Sequence, residues 1–368
     1  MPITPLRYSI RPKSLEAHVF EVTCTVAEPD AAGQRFQLPA WIPGSYLVRD
    51  FARHVVTITA RSGRRPVPIA KLDKHTWIVP PTTGPVTVTT EVYAFDLSVR
   101  GAWLDSTRGF FNGPCVFLLP VGHDHTPCEV EILPPRGARG RSWRVATSLR
   151  RKDASPYGFG LYRAADYDEL IDHPVELGTF ALQEFDAAGV RHAIAISGRH
   201  EADMERLGRD LSRMCTTHID LFGRPAPFDR YVFLTNTLAD GYGGLEHRAS
   251  TALLCSRDEL PRKGVRAVTE GYRTFLGLAS HEYFHAWNVK RIKPAVFAPY
   301  DLTHEGYTTL LWAFEGITSY YDDLLLVRAG LLGESEYVEL LGRSITSLLR
   351  TPGRLRQTVS EASFDAWI

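Results

Sequence analysis

The sequence predicts an α+β protein: an N-terminal antiparallel β domain over residues 1–175, followed by a domain of mixed strands and long helices over 176–368. Three observations carry this. Val- and Thr-rich runs that alternate apolar and polar residues recur up to about residue 175, separated by Gly, Pro and Asp clusters. Past Asp166–Gly178 the texture changes to strand, helix, strand. From residue 270 onward the apolar spacing is helical.

Taken in order, His18–Pro29, His54–Gly63 and Gly84–Phe95 read as strands of an antiparallel sheet or sandwich. Pro134–Lys152 is basic, but its Gly and Pro content marks solvated loops rather than a nucleic-acid patch. In the second part, Arg191–Gly198 reads as a strand. Glu201–Gly223 reads as a helix, with Met204, Leu207, Leu211 and Met214 along one stripe and a Gly at its end. Arg230–Leu238 and Ala249–Ser256 follow as strands. Helical patterns then cover 270–292, 307–328 and 334–350.

Composition narrows the function classes. Apolar residues are 44% of the chain, enough to build a core, so wholesale disorder is excluded. Lys plus Arg and Asp plus Glu are 42 each, so charge gives no reason to expect nucleic acid or an anionic membrane as partner. No run has the 18 or more apolar residues of a membrane span, and the opening Met1–Lys13 segment lacks the apolar stretch of a secretory signal. The five cysteines, at 24, 115, 128, 215 and 255, are odd in number and widely spaced. Neither a disulfide framework nor an all-cysteine zinc site fits, so reduced, buried thiols and a cytoplasmic location are expected.

The informative segment is His281-Glu282-Tyr283-Phe284-His285. On a helix, residues four apart share a face, so both imidazoles can reach one metal ion. Glu282 is rotated away from His281 and can stand beside the metal, placed to accept a proton from water. A zinc site of this kind needs a third protein ligand and an open position. Downstream candidates are His304, Glu305 and Glu315. Glu305 lies in a polar segment and reads as a first-turn carboxylate. Glu315 is the favoured ligand, because it stands alone among Leu311, Trp312, Phe314 and Ile317, where a divalent ion would offset its charge. Ser319 and Asp322 follow at i+4 and i+7 on the same face. They read either as acceptors for a ligand imidazole or as ordinary surface polars.

A second constellation is Asp240–Arg248, DGYGGLEHR. Gly243 and Gly244 permit close backbone approach to a ligand. Glu246 projects from an edge-like segment and could hold a positively charged substrate terminus; a Gly-rich bulge with an exposed Glu is the plain alternative. Dinucleotide and P-loop fingerprints are both incomplete.

His281–Pro294 (HEYFHAWNVKRIKP) and Leu310–Asp323 (LLWAFEGITSYYDD) together resemble the glycyl aminopeptidase family. These are PDZ-containing gluzincin metallopeptidases related to aminopeptidase N. The GGLEH loop is similar to the exopeptidase motif GAMEN, with His247 in place of its Asn. Pro39–Tyr46 and Tyr167–Pro174 are similar to the family's N-terminal domain. The resemblance implies a thermolysin-like catalytic domain over 176–368. It implies one zinc per chain held by His281, His285 and Glu315, Glu282 as general base, and Glu246 binding the α-amine of peptide substrates with a free N-terminus. The implied reaction is release of N-terminal Gly, and by extension Ala. It also places Lys290–Lys293 at a helix C-terminus. The family's catalytic part continues past a segment like Ser360–Ile368 to supply a Tyr that stabilises the oxyanion, and a PDZ domain follows; both are expected outside these 368 residues. A silent zinc-containing binding module and a thermolysin-type endopeptidase are the competing readings.

Overall fold

The three alternating runs are strands, and they are neighbours. In the computed structural model, which describes residues 4–368, Val19–Val26, Val86–Tyr93 and Val55–Ser62 lie side by side in that order, antiparallel. They are the fifth, sixth and seventh strands of an eight-stranded sheet. Met1 to Ile3 of the opening segment lie outside the described residues. Along Val19–Val26 and Val86–Tyr93 alternate side chains are buried, as a sheet with one covered face requires. The sheet contains one parallel pair, Leu6–Ser14 beside Cys128–Ile132, with Tyr8 opposite Val130. Two four-stranded sheets complete this first unit.

The first unit runs to Phe180 and takes in Leu302–His304. It extends past 175 because strand Val175–Gly178 pairs with both Arg108–Phe111 and Arg144–Ala146. Glu176 on that strand makes a buried two-pronged ion pair with Arg108, at 2.8 Å to Nε and 2.6 Å to Nη2.

The second unit holds a five-stranded sheet in the order Ala181–Ala187, Val190–Ser197, Arg230–Leu238, Ser250–Ser256, Tyr242–Glu246. The three inner strands are parallel, and the two outer ones antiparallel to their neighbours. Helix Met204–Phe222 connects the first parallel pair. The Asp203 carboxylate accepts from Arg206 N at its start. Its Leu207, Leu211, Met214 and Ile219 are buried against Phe275, Leu276, Ala279 and Tyr283 of helix Glu270–Phe284.

Two helices differ in extent from their periodicity. The pattern at 270–292 is α-helical only over Glu270–Phe284, with Thr269 accepting from Tyr272 N at its start. Beyond it the chain makes successive turns, because His285 Nδ1 bonds the carbonyl of Asn288 and the Arg291 guanidinium takes the carbonyl of Ala286. The pattern at 307–328 becomes a π-helical turn over Trp312–Gly316 and an α-helix over Ile317–Arg328. Residues 307–310 stay outside it: Leu310 N is taken by the Thr308 hydroxyl and Trp312 N by that of Ser363. Glu305 is therefore exposed and precedes the helix rather than lying in its first turn. Helix Glu334–Arg350 forms where its periodicity puts it. No helix among the described residues is long and apolar enough to cross a membrane. All five cysteines are free and buried.

Candidate metal centre

Helix Glu270–Phe284 is anchored by the two residues inside its motif. Tyr283 and Phe284 are buried, and Tyr283 OH bonds His192 Nε2 at 2.9 Å. This fixes the rotation of the helix, so His281 and His285 turn the same way. Their Nε2 atoms stand 3.1 Å apart, and each lies 3.6 Å from Glu315 Oε2. Ligand bonds of about 2.0–2.2 Å in a tetrahedral site give ligand–ligand edges of about 3.3–3.6 Å; both edges to Glu315 match and the imidazole edge is slightly shorter, a triangle that one divalent ion can fill. The groups of possible metal donors among the described residues are this trio and Glu246, Glu282 and His285; neither includes His304 or Glu305.

Each imidazole is held through its other nitrogen. His281 Nδ1 faces Asp322 Oδ2 at 3.1 Å, and His285 Nδ1 donates to the Asn288 carbonyl at 2.7 Å. Both bonds leave Nε2 toward the shared point. Asp322 is thus one of the two polar residues expected on that helix face. Ser319, the other, is exposed and bonds neither imidazole; Asp322, one turn further on, already occupies the free nitrogen of His281. The Asn288 carbonyl carries no side-chain signature, and sequence reasoning missed it.

Glu282 and Glu246 are buried, 6% and 3% exposed. Together with His285 they bring ligand atoms within 4.8 Å of one another. Glu246 is therefore no exposed residue on a bulge. It ends strand Tyr242–Glu246, the edge of the sheet, with Gly243 opposite Leu254 and Gly244 opposite Leu253. A Cβ on Gly244 would overlap the Glu282 carboxyl group, so this glycine is the gap into which Glu282 fits. Arg291 ties the following loop to the helix end, donating to the carbonyls of Arg248, Ala286 and Pro227. Lys290–Lys293 thus follows the helix end as a run of turns.

The electrostatics ask for positive charge. Among the described residues, Glu246, Glu282, Glu315 and Asp322 form no ion pair with Lys or Arg. Glu246 Oε1 and Glu282 Oε2 are buried and lack hydrogen-bond partners. Burial, joined by the nearby Glu246 charge, pushes Glu282 up to about 7 against the pull of His285. Burial opposes charge on His281, yet the Asp322 and Glu315 carboxylates outweigh it and lift this imidazole to about 10. Those same imidazoles hold Glu315 well below the usual carboxylate range despite its burial cost. A site whose imidazoles gather protons this strongly is one whose carboxylates would equally stabilise a cation.

Comparison with known proteins decides the family. Residues 7–179 match the Peptidase M61 N-terminal domain, and residues 274–368 match the M61 glycyl aminopeptidase model. This chain belongs to the M61 glycyl aminopeptidase family. The crystal structure of an aminopeptidase N family protein from Idiomarina loihiensis is similar throughout, with a TM-score of 0.96 and 44% identity. That match covers 98% of this chain and 61% of the other, so this chain spans less than two thirds of that relative. A search of curated proteins found no match. The M61 glycyl aminopeptidase match contains His281, Glu282, His285, Glu315 and Asp322. Glu246 falls between the two matched segments and rests on its geometry.

Proposed function

We propose that this chain carries the catalytic machinery of a zinc-dependent aminopeptidase of the gluzincin type, releasing small N-terminal residues, Gly and also Ala, from peptides. The observation that carries the proposal is the pair of buried carboxylates, Glu282 and Glu246, each with an unpartnered oxygen beside the imidazoles. His281, His285 and Glu315 would hold one zinc. When bound, zinc supplies Lewis acidity, polarising a carbonyl and lowering the pKa of water toward about 7.

The remaining work falls to side chains of this protein. Glu282 accepts a proton from the attacking water and returns it to the leaving amine. Asp322 and the Asn288 carbonyl keep the imidazole rings in register. Glu246 pairs with the free α-amine, which confines cutting to the first peptide bond. The five free, buried thiols support a cytoplasmic setting.

Glu282→Gln should keep zinc and lose hydrolysis; full activity in that variant would reject the general-base role. Glu246→Ala should harm cleavage of free-amine peptides far more than of blocked ones, and equal harm would show that it does not read the amine. Internal cleavage of amine-blocked peptides would instead mark an endopeptidase, and zinc without any turnover, in the full-length protein as well as in this chain, a binding module.

A further inference from the structure

Glu315 is presented from an irregular stretch of helix. Over Trp312–Gly316 the turn is π-helical, which takes backbone carbonyls out of their ordinary α-helical bonds. Within this turn Ala313 O and Phe314 O immediately precede Glu315, and both face one side chain. Asn288 Nδ2 lies 3.3 Å from each and 3.2 Å from Thr318 Oγ1. Carbonyls only accept, so the amide must turn its NH2 toward them. Thr318 donates in turn to Phe314 O. Asn288 is itself buried, 8% exposed, and Thr318 fully so.

The main chain of the same residue holds the other half of the centre. Asn288 O accepts from His285 Nδ1 at 2.7 Å. One residue therefore touches both ligand-bearing segments, the end of the histidine helix through its carbonyl and the Glu315 turn through its amide. A metal site tolerates ligand displacements of only about 0.2 Å. A wide turn without its clasp has other ways to satisfy its carbonyls, each of which would move Glu315.

We propose that Asn288 is a positioning residue that sets the distance of Glu315 from the two imidazoles by clasping the π-turn, and that Thr318 is its partner. This rests on the metal-centre reading above and adds to it a residue that touches neither metal nor substrate.

The test uses zinc affinity, measured by chelator competition, and the visible spectrum of the cobalt-loaded chain, which reports coordination number. Asn288→Leu keeps the bulk and removes both donors. It should weaken zinc binding by about 10–100-fold and shift the cobalt spectrum away from that of the parent. In a Glu315→Ala background the same change should alter affinity by no more than about twofold, because the clasp acts through Glu315. Unchanged affinity in Asn288→Leu, or an equal loss in both backgrounds, would overturn the proposal. Thr318→Val and Thr318→Ser provide a gentler pair should Asn288→Leu not fold. Val should weaken zinc binding and Ser restore it, and equal affinities would count against the clasp. A parent chain that binds no zinc would overturn the metal-centre reading itself.

Discussion

Gly244→Ala is the sharpest perturbation the site offers. Gly244 is not in the left-handed region, so its backbone accepts an alanine. Elsewhere on a strand such a change would stabilise by about 0.4–1 kcal/mol through the unfolded chain. Here the new methyl would occupy the space of the Glu282 carboxyl group. What it meets is the end of a flexible side chain, so the fold survives and the carboxylate moves. The three atoms nearest that methyl all belong to Glu282, so the change acts first on this carboxylate and zinc should stay. A positioned general base contributes about 10²–10⁴-fold. The expected result is a fall in kcat within that range for a Gly-initiated peptide, with zinc content intact. The melting temperature should stay within what ~1 kcal/mol would move. The assay is peptide release beside metal analysis and thermal unfolding of the same sample. Parent-level kcat would refute the claim that Glu282 works from the space Gly244 leaves.

Further expectations concern stability and the ligand supports. Burial lowers His192 and His218 to about 4. The unfolded chain takes up these protons near the ordinary value of 6.5, while the folded chain refuses them until about 4. Stability is therefore lost as pH falls through this window, by up to about 1.4 kcal/mol per pH unit for each imidazole. Denaturant midpoints measured from pH 7 to 5 should fall with a shallower slope in His218→Gln than in the parent; equal slopes would contradict the assignment. Asp322→Asn should weaken zinc binding by about 10–100-fold, whereas Ser319→Ala should leave it unchanged. Chelator competition decides both, and a Ser319 effect as large as that of Asp322 would refute the assignment of acceptors.

Much of this arrangement is legible in the residues because it follows from periodicity and from the cost of burying charge. The Val- and Thr-rich runs became adjacent strands, two of them with the one covered face that alternation dictates, while Val55–Ser62 buries only Ala60. His281 and His285 share a helix face, and Glu315 stands out in the sequence as a lone carboxylate among apolar residues, although its side chain is 41% exposed and Trp312 and Ile317 are exposed as well. The helical repeat put Asp322 and Ser319 on one face and left both open as acceptors or surface polars; the contact with His281 Nδ1 separates them. Both helix-boundary failures share a cause, which is hydrogen bonding between a side chain and a distant or turned backbone. The His285 bond to Asn288 O ends a helix whose apolar spacing runs on. The Ser363 hydroxyl, from far along the chain, takes the Trp312 amide at the next helix start. Ser319 has the right spacing, but one acceptor already fills the only free nitrogen. The parallel pairing of Leu6–Ser14 with Cys128–Ile132 joins segments too far apart for any local pattern to reveal. Likewise, the role of Gly244 shows only once Glu282 lies against it.

Zinc K-edge absorption on the purified chain addresses the centre directly. One zinc per chain is expected, with two imidazole nitrogens and one carboxylate oxygen at about 2.0–2.2 Å. A chain that takes up no zinc, or zinc bound through sulfur or through a single imidazole, would contradict it.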